Sequence, residues 1–195
     1  MRRARSLAVV GMLGVGAVSV ISSTQTWIDV TLSDGAQQPL AVAGSDAIPV
    51  LTPLSLAVLA LAAALSIVGP VMRYILAALA LAIAGIVGVA TAQLLFTMPV
   101  SATAATVAEA TGISGGDAAA DLVASMALTP WPAVTLLAQI LLAAAAAFTL
   151  VTARRWQGSA GRKYRTAAEA PADGSRPHDA IDSWDDLSRG DDPTA

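Results

Sequence analysis

The chain has 195 residues, of which 55% are hydrophobic and only 13% are charged. Soluble domains carry about 25% charged residues, so the composition predicts an integral membrane protein rather than a soluble one. The formal net charge of -3 is spread unevenly, because Lys and Arg are missing from two long segments. With no cysteine in the chain, disulfides, thiolate catalysis and sulfur-ligated metals are excluded.

The first predicted helix covers residues 7–27, directly after Arg2, Arg3 and Arg5. Its 21 residues are enough to cross about 30 Å of hydrocarbon. A secretory signal peptide has the same layout and is the alternative. No small-residue cleavage site follows the run, so the sequence favours an uncleaved transmembrane helix.

The loop after this helix predicts a small extracytoplasmic β-hairpin. Ile28, Val30 and Leu32 alternate with polar residues, a Ser-Asp-Gly turn follows, and the alternation resumes at Leu40 and Val42. An isolated hairpin is marginally stable in water, so it has to pack against another part of the protein. The alternative is an irregular loop.

Two apolar runs over 53–69 and 73–97 predict a transmembrane helical hairpin. Arg73 is the only charged residue between Asp46 and Glu109, and it lies at the tip of this hairpin. Glycines and alanines are frequent in the second run, and small residues allow helices to approach closely in lipid. The pattern therefore indicates helix packing rather than a ligand site.

The loop before the last helix contains three acidic residues and no Lys or Arg. Asp117 is placed to cap a short helix over 118–128, with Leu122, Val123 and Met126 on one face. Such a face predicts burial against protein, since an acidic loop is not attracted to anionic lipid headgroups.

The fourth predicted helix covers 131–152 and is followed by Arg154 and Arg155. Three basic residues precede the first helix, one lies at the hairpin tip and five follow the fourth helix, against none in the loops 28–52 and 98–130. Cytoplasmic segments carry the excess of Lys and Arg. The sequence therefore predicts an all-α membrane domain over 1–156 with four transmembrane helices and both termini in the cytoplasm.

Residues 157–195 predict a disordered cytoplasmic tail, rich in Ala, Pro, Gly, Ser and acidic residues. Within the short motif 181–193, Ile181, Trp184 and Leu187 recur at three-residue intervals. This spacing predicts a short helix that docks on a cytoplasmic protein partner. The alternative is that Trp184 rests on the membrane surface or on the basic segment after the fourth helix.

The residue inventory argues against enzymatic chemistry. Catalysis needs titratable groups gathered in a pocket, and the predicted helices contain no carboxylate or histidine. We therefore expect no catalytic residue, no cofactor, no metal site and no nucleic-acid partner. Gln93 and Gln139 lie at depths that differ by roughly 6 Å, which predicts an interhelical hydrogen bond between them, with substrate contact as the alternative.

Several short segments resemble one known family. They are Trp27 at the end of the first helix, Gly-Ser-Asp-Ala-Ile-Pro at 44–49, Thr-Pro-Trp-Pro at 129–132, the basic block at 154–165 and the block Asp-Ser-Trp-Asp-Asp-Leu-Ser-Arg-Gly at 182–190. Together they are similar to the tryptophan-biosynthesis-associated membrane protein family of actinobacteria. The resemblance implies a small inner-membrane protein encoded among tryptophan-biosynthesis genes, and it brings no catalytic or binding residues.

The resemblance and the residues together predict a multi-pass protein of the bacterial plasma membrane that is not an enzyme. Its expected function is that of an accessory or scaffold protein linked to tryptophan biosynthesis, whose tail recruits a cytoplasmic partner. The alternative is a permease-like subunit for an aromatic amino acid or precursor, working as a homo-oligomer because four helices enclose little room.

Overall fold

The computed structural model describes residues 2–33, 39–113 and 121–152, all within one compact unit, Met1–Gln157. Helices dominate, as predicted, and a small sheet accompanies them. The helices are α1 (Arg2–Ser23), α2 (Gly44–Ala47), α3 (Leu51–Leu65), α4 (Pro70–Thr97), α5 (Ala104–Thr111) and α6 (Trp131–Thr152). The strands are β1 (Thr26–Leu32), β2 (Leu40–Ala43) and β3 (Val123–Leu128).

Three of the described helices are long and apolar enough to cross a membrane, over Ser6–Ser23, Val71–Thr97 and Trp131–Thr152. Helix α3 is shorter, since its 15 residues cover about 22 Å at 1.5 Å per residue. The predicted second helix, 53–69, was too long at its carboxyl end, because the helix stops at Leu65 ahead of the Gly69-Pro70 pair. Proline at the first position of α4 starts the next helix instead.

The long helices form a bundle in which α1 packs against α3 and α6, and α4 packs against α6 and α3. Lipid provides no hydrophobic drive for such packing, so close contact between small residues has to supply the attraction. Alanine accordingly contributes half of the buried core of the bundle, which consists of Met12, Val15, Val58, Ala62, Leu65, Ala80, Ala84, Ala138, Leu142 and Ala146.

Gly16 sets the distance between α1 and α3. A Cβ atom at Gly16 would lie 2.7 Å from Cδ2 and 2.9 Å from Cγ of Leu59, and 3.4 Å from the Leu59 backbone nitrogen. The two distances to the Leu59 side chain are shorter than the van der Waals contacts found in packed proteins. The contact between α1 and α3 therefore depends on the missing side chain at this position.

The three strands form an antiparallel sheet in the order β2-β1-β3. Strand β1 lies in the centre, with Val30 opposite Leu40 on one side and opposite Met126 on the other. Strands β1 and β2 occupy the loop in which a β-hairpin was predicted, and residues 34–38 between them lie outside the described residues.

The prediction of a helix over 118–128 was wrong for residues 123–128, which form β3. Strand β1 exposes a second row of backbone N–H and C=O groups, and β3 pairs with it from Ile28 to Leu32. Unpaired backbone groups next to a membrane protein core are costly. Pairing with β1 therefore outweighs the local preference for a helix that Asp117 and the spacing of the apolar residues had indicated.

The sheet covers one end of the bundle, which we call the sheet end. Its inner face shares a buried cluster with the first residue of α3, Leu51, with Val87 and Leu94 of α4 and with Val107 of α5. Strand β1 follows α1 and β3 precedes α6, and the cluster includes Leu51 at the start of α3 and Leu94 near the end of α4. The sheet therefore contacts the adjacent ends of α1, α3, α4 and α6. This supplies the support that an isolated hairpin lacks.

We expect Gly16→Leu to destabilise the bundle by about 1 to 3 kcal/mol, because the added carbons overpack the contact with Leu59. Gly14→Leu is the matched control, since a Cβ at Gly14 meets nothing within 4 Å. Thermal unfolding in detergent, followed by size-exclusion chromatography, compares the two. Equal losses in both variants would contradict the close approach of α1 and α3.

Candidate functional site

Trp27 is fully buried at the sheet end, where it connects the sheet to α1. Its indole Nε1 donates to the Ser22 carbonyl oxygen at 2.9 Å and also lies 3.1 Å from Ser22 Oγ. The sequence had placed Trp27 at the end of the first helix, which was predicted over 7–27. The structure corrects this, because α1 ends at Ser23 and Trp27 belongs to β1.

A β-bulge explains how Trp27 becomes buried. The register between β1 and β2 shifts between Thr26 and Ile28, and a bulge of this kind redirects a side chain. Trp27 and Ile28 are therefore both buried, although consecutive strand residues normally point to opposite faces.

Gly44 gives the indole its space. A Cβ atom at this position would lie 2.6 Å from Trp27 Nε1 and 3.0 Å from the Ser22 carbonyl oxygen. Gly44 also donates its backbone N–H to the Gln25 carbonyl oxygen at 3.0 Å. This bond holds the start of α2 beside the residue that precedes β1. Any side chain here would collide with the group that joins the sheet to the helix.

Below Trp27, a line of hydrogen bonds connects α1 to α6. The Ser22 and Thr135 hydroxyl oxygens lie 2.6 Å apart, and Gln139 Nε2 donates to Ser19 Oγ at 3.1 Å. All four side chains are buried. We call these four residues the α1–α6 polar ladder.

The spacing along each helix produces this ladder. Ser19 and Ser22 are three residues apart on α1, and Thr135 and Gln139 are four apart on α6, so each pair shares one helix face. Helix α1 ends at the sheet end and α6 begins there, so the two helices are antiparallel. Ser22 therefore lies beside Thr135, and Ser19 lies beside Gln139. Ser19 and Ser22 were not predicted as site residues. The signal for them in the sequence was two polar residues three apart in the first apolar run, matching Thr135 and Gln139 four apart in the last one.

The ladder contains only hydroxyl and amide groups, which neither titrate near neutral pH nor bind metals strongly. Its hydrogen bonds are suited to aligning α1 with α6, with an expected contribution of about 0.6 to 2 kcal/mol each. Among the described residues, no group of three His, Cys, Asp or Glu side chains could hold a metal ion. The four side chains of the ladder therefore provide hydrogen bonds.

The structure does not bring Gln93 and Gln139 together. Gln93 is exposed on α4, whereas Gln139 is buried and bonds to Ser19. The buried face of α4 follows Ala84, Val87, Thr91 and Leu94, and a residue directly before Leu94 points about 100° away from it. The predicted partner of Gln139 was therefore wrong, and the interhelical bond goes to α1 instead.

Arg73 lies in the first turn of α4, next to the turn that connects α3 to α4. Its side chain is buried, and Nη2 donates to the Val68 carbonyl oxygen at 3.4 Å. The Arg73 guanidinium group therefore lies against the turn between α3 and α4. The other residues predicted for topology or partner binding, Arg154, Arg155, Ile181, Trp184 and Leu187, lie outside the described residues.

We expect Gly44→Ala to lower the thermal stability of the protein, although alanine normally stabilises a helix relative to glycine. The reason is the collision with Trp27 Nε1 and the Ser22 carbonyl. In the double variant with Trp27→Leu the cost of Gly44→Ala should shrink, because both colliding indole atoms, Nε1 and Cε2, are gone. Strictly additive effects on the melting temperature in detergent would argue against this contact.

Comparison with known protein families matches residues 9–194 to the family described as tryptophan-associated transmembrane protein. No curated protein and no solved structure matches the chain. The family match spans nearly the whole sequence, including both helices of the polar ladder, all three strands and the tail, and it confirms the resemblance that the short motifs indicated. The chain belongs to the tryptophan-associated transmembrane protein family.

Proposed function

We propose that this protein is a non-enzymatic accessory or scaffold protein of the bacterial plasma membrane, linked to tryptophan biosynthesis through a cytoplasmic partner of its tail. The observation that carries the proposal is the use of polar groups inside the bundle. Ser19, Ser22 and Thr135 bond to other side chains across helices, which favours a packed anchor over a reaction site. Partner recruitment then falls to the tail.

The proposal includes four membrane crossings with both termini in the cytoplasm. Support comes from α3, whose first residue, Leu51, belongs to the sheet-end cluster, whereas its last residue, Leu65, packs in the bundle cluster with Met12. A helix that begins at the sheet end and ends beside the amino-terminal half of α1 returns the chain across the bundle. The distribution of Lys and Arg supports the same orientation.

The tail motif is suited to a protein partner. Ile181, Trp184 and Leu187 give an apolar stripe with acidic residues between and around them, and an amphipathic segment of this type binds grooves on other proteins. The acidic residues oppose binding to an anionic membrane surface. The proposed partner therefore offers an apolar groove with basic residues at its edge.

The permease-like alternative has less support. A transporter needs a path along the bundle axis, and a substrate-contacting amide was predicted at Gln93 or Gln139. Gln93 lies on the exposed face of α4, and Gln139 donates to Ser19. These contacts favour the accessory role.

We expect a periplasm-active reporter fused after Arg165 to be inactive, and the same reporter fused after Gly112 to be active. The positive-inside distribution places Arg165 in the cytoplasm and Gly112 on the other side. Alkaline phosphatase activity in whole cells measures both. Activity of the Arg165 fusion would overturn the orientation.

We expect replacement of Ile181, Trp184 and Leu187 by alanine to abolish the recovery of a cytoplasmic partner in affinity purification from native membranes. Ser183→Ala, within the same motif but outside the apolar stripe, is the matched control and should retain the partner. Thermal unfolding of the membrane domain should be equal in both variants. Equal partner recovery from both would overturn the scaffold proposal.

A further inference from the structure

Helix α3 is too short to cross the hydrocarbon of a bilayer on its own. Its 15 residues cover about 22 Å, whereas the hydrocarbon is about 30 Å thick. Its last residue, Leu65, belongs to the same buried cluster as Met12, Ala80 and Ala146 of the neighbouring helices. The candidate spans of those helices continue past these cluster residues by six to nine residues, about 9 to 14 Å. The chain after Leu65 therefore starts at the depth of the membrane.

The segment 66–69, which connects α3 to α4, has no charged side chain and exposes an apolar one. Ile67 is 87% exposed, the largest value among the large hydrophobic side chains of the described residues. On α4, Val71, Ile75 and Leu79 follow at four-residue intervals and are also exposed, so they form one face of the helix. This face belongs to a helix long and apolar enough to cross a membrane. The exposed apolar face of the span thus reaches Val71, four residues after Ile67.

The backbone of the segment is paired in the way that hydrocarbon requires. Non-helical backbone at membrane depth needs hydrogen-bond partners within the protein. Ser66, Ile67 and Val68 donate their N–H groups to carbonyl oxygens of α3 at 3.0 to 3.1 Å. Arg73 donates its backbone N–H to the Gly69 carbonyl oxygen at 3.2 Å and its Nη2 to the Val68 carbonyl oxygen at 3.4 Å. Both ends of the segment are therefore hydrogen-bonded to the adjoining helices.

Arg73 points away from the exposed face of α4. It is only 4% exposed and shares the buried face of the helix with Ala77 and Ala80. Ionisable side chains inside a membrane face the bundle and pair with backbone carbonyl groups, and the bond to the Val68 carbonyl is of this kind. The charge of Arg73 therefore does not require the turn to reach water.

We propose that residues 66–69 complete the second membrane crossing inside the hydrocarbon, with the Ile67 side chain among the acyl chains of one leaflet and Arg73 bonded to the backbone of the turn. Four extended residues reach up to about 13 Å, which is enough to make up the length that α3 lacks. A soluble protein partner fits less well, because the exposed face beside Ile67 continues a membrane span. The inference rests on the four crossings proposed above and adds the depth of one turn.

Single-cysteine variants of the full chain in lipid nanodiscs test this depth, since the chain has no cysteine of its own. We expect Ile67→Cys to react with a charged, membrane-impermeant maleimide at least about tenfold more slowly than Ala105→Cys, at an exposed position of α5. Leu79→Cys, on the exposed face of the α4 span, is the matched control and should be as slow as Ile67→Cys. Nanodiscs open both membrane faces to the reagent. Reaction of Ile67→Cys as fast as that of Ala105→Cys would overturn the proposal.

Fluorescence quenching separates acyl chains from other surroundings. A fluorophore attached to Ile67→Cys through an uncharged maleimide should be quenched more strongly by lipids spin-labelled on the acyl chain than by lipids spin-labelled at the headgroup. Stronger quenching from the headgroup would overturn the proposal. A protected thiol without acyl-chain quenching would assign the turn to a contact with a second copy of the chain and would also overturn it. Failure of the four crossings is recognised separately, by activity of the Arg165 reporter fusion.

A charge at the same position tests the depth through stability. We expect Ile67→Asp to lower the melting temperature of the protein in nanodiscs, because an ionisable group in hydrocarbon is costly and aspartate is too short to reach the headgroups. Ala105→Asp is the control and should melt as the unmodified protein does. The exposed Ile67 side chain has few protein contacts to lose. Equal melting temperatures of the two variants would contradict the proposed depth.

Discussion

The hydrogen bond from the Trp27 indole to the Ser22 carbonyl is the contact on which the sheet end depends. A buried indole N–H needs an acceptor, and the end of a helix has carbonyl groups with capacity to accept. The bulge in β1 turns Trp27 inward, and Gly44 leaves room for the ring. Because Ser22 also touches Thr135, the same residue joins the sheet to α1 and α1 to α6.

This arrangement divides the described chain into two kinds of surface. Inside the bundle, hydroxyl and amide groups bond across helices, and alanine and glycine allow the helices to approach closely. On the outside, most of the exposed large side chains of the helices are apolar. This division is the basis of the proposal that the bundle acts as a membrane anchor rather than as a reaction site.

The sequence predicted the helical part of the fold well, because long apolar runs and their flanking charges carry a strong signal. The range 131–152 coincides with α6, and three of the four predicted spans meet the length and composition of a membrane crossing. The site was predicted less well. Trp27 was placed in the first helix because periodicity cannot reveal a bulge. Strand β3 was predicted as a helix because its pairing partners in β1 lie 91 to 100 residues earlier in the chain. The partner of Gln139 depends on which face α4 turns towards α6, and the sequence does not reveal that face. Gln93 is exposed although the next residue, Leu94, is buried, because one residue is about 100° around a helix.

Hydrogen exchange tests the central claim most directly, namely that the sheet is fastened to the helix ends through Trp27. The measurement compares backbone amides of β1 with those of α1 near Ser22 in lipid nanodiscs by mass spectrometry. The structure predicts that β1, which is paired on both edges and buried beneath, exchanges about as slowly as the end of α1. Exchange of β1 at the rate of an exposed loop, with α1 still protected, would contradict the account.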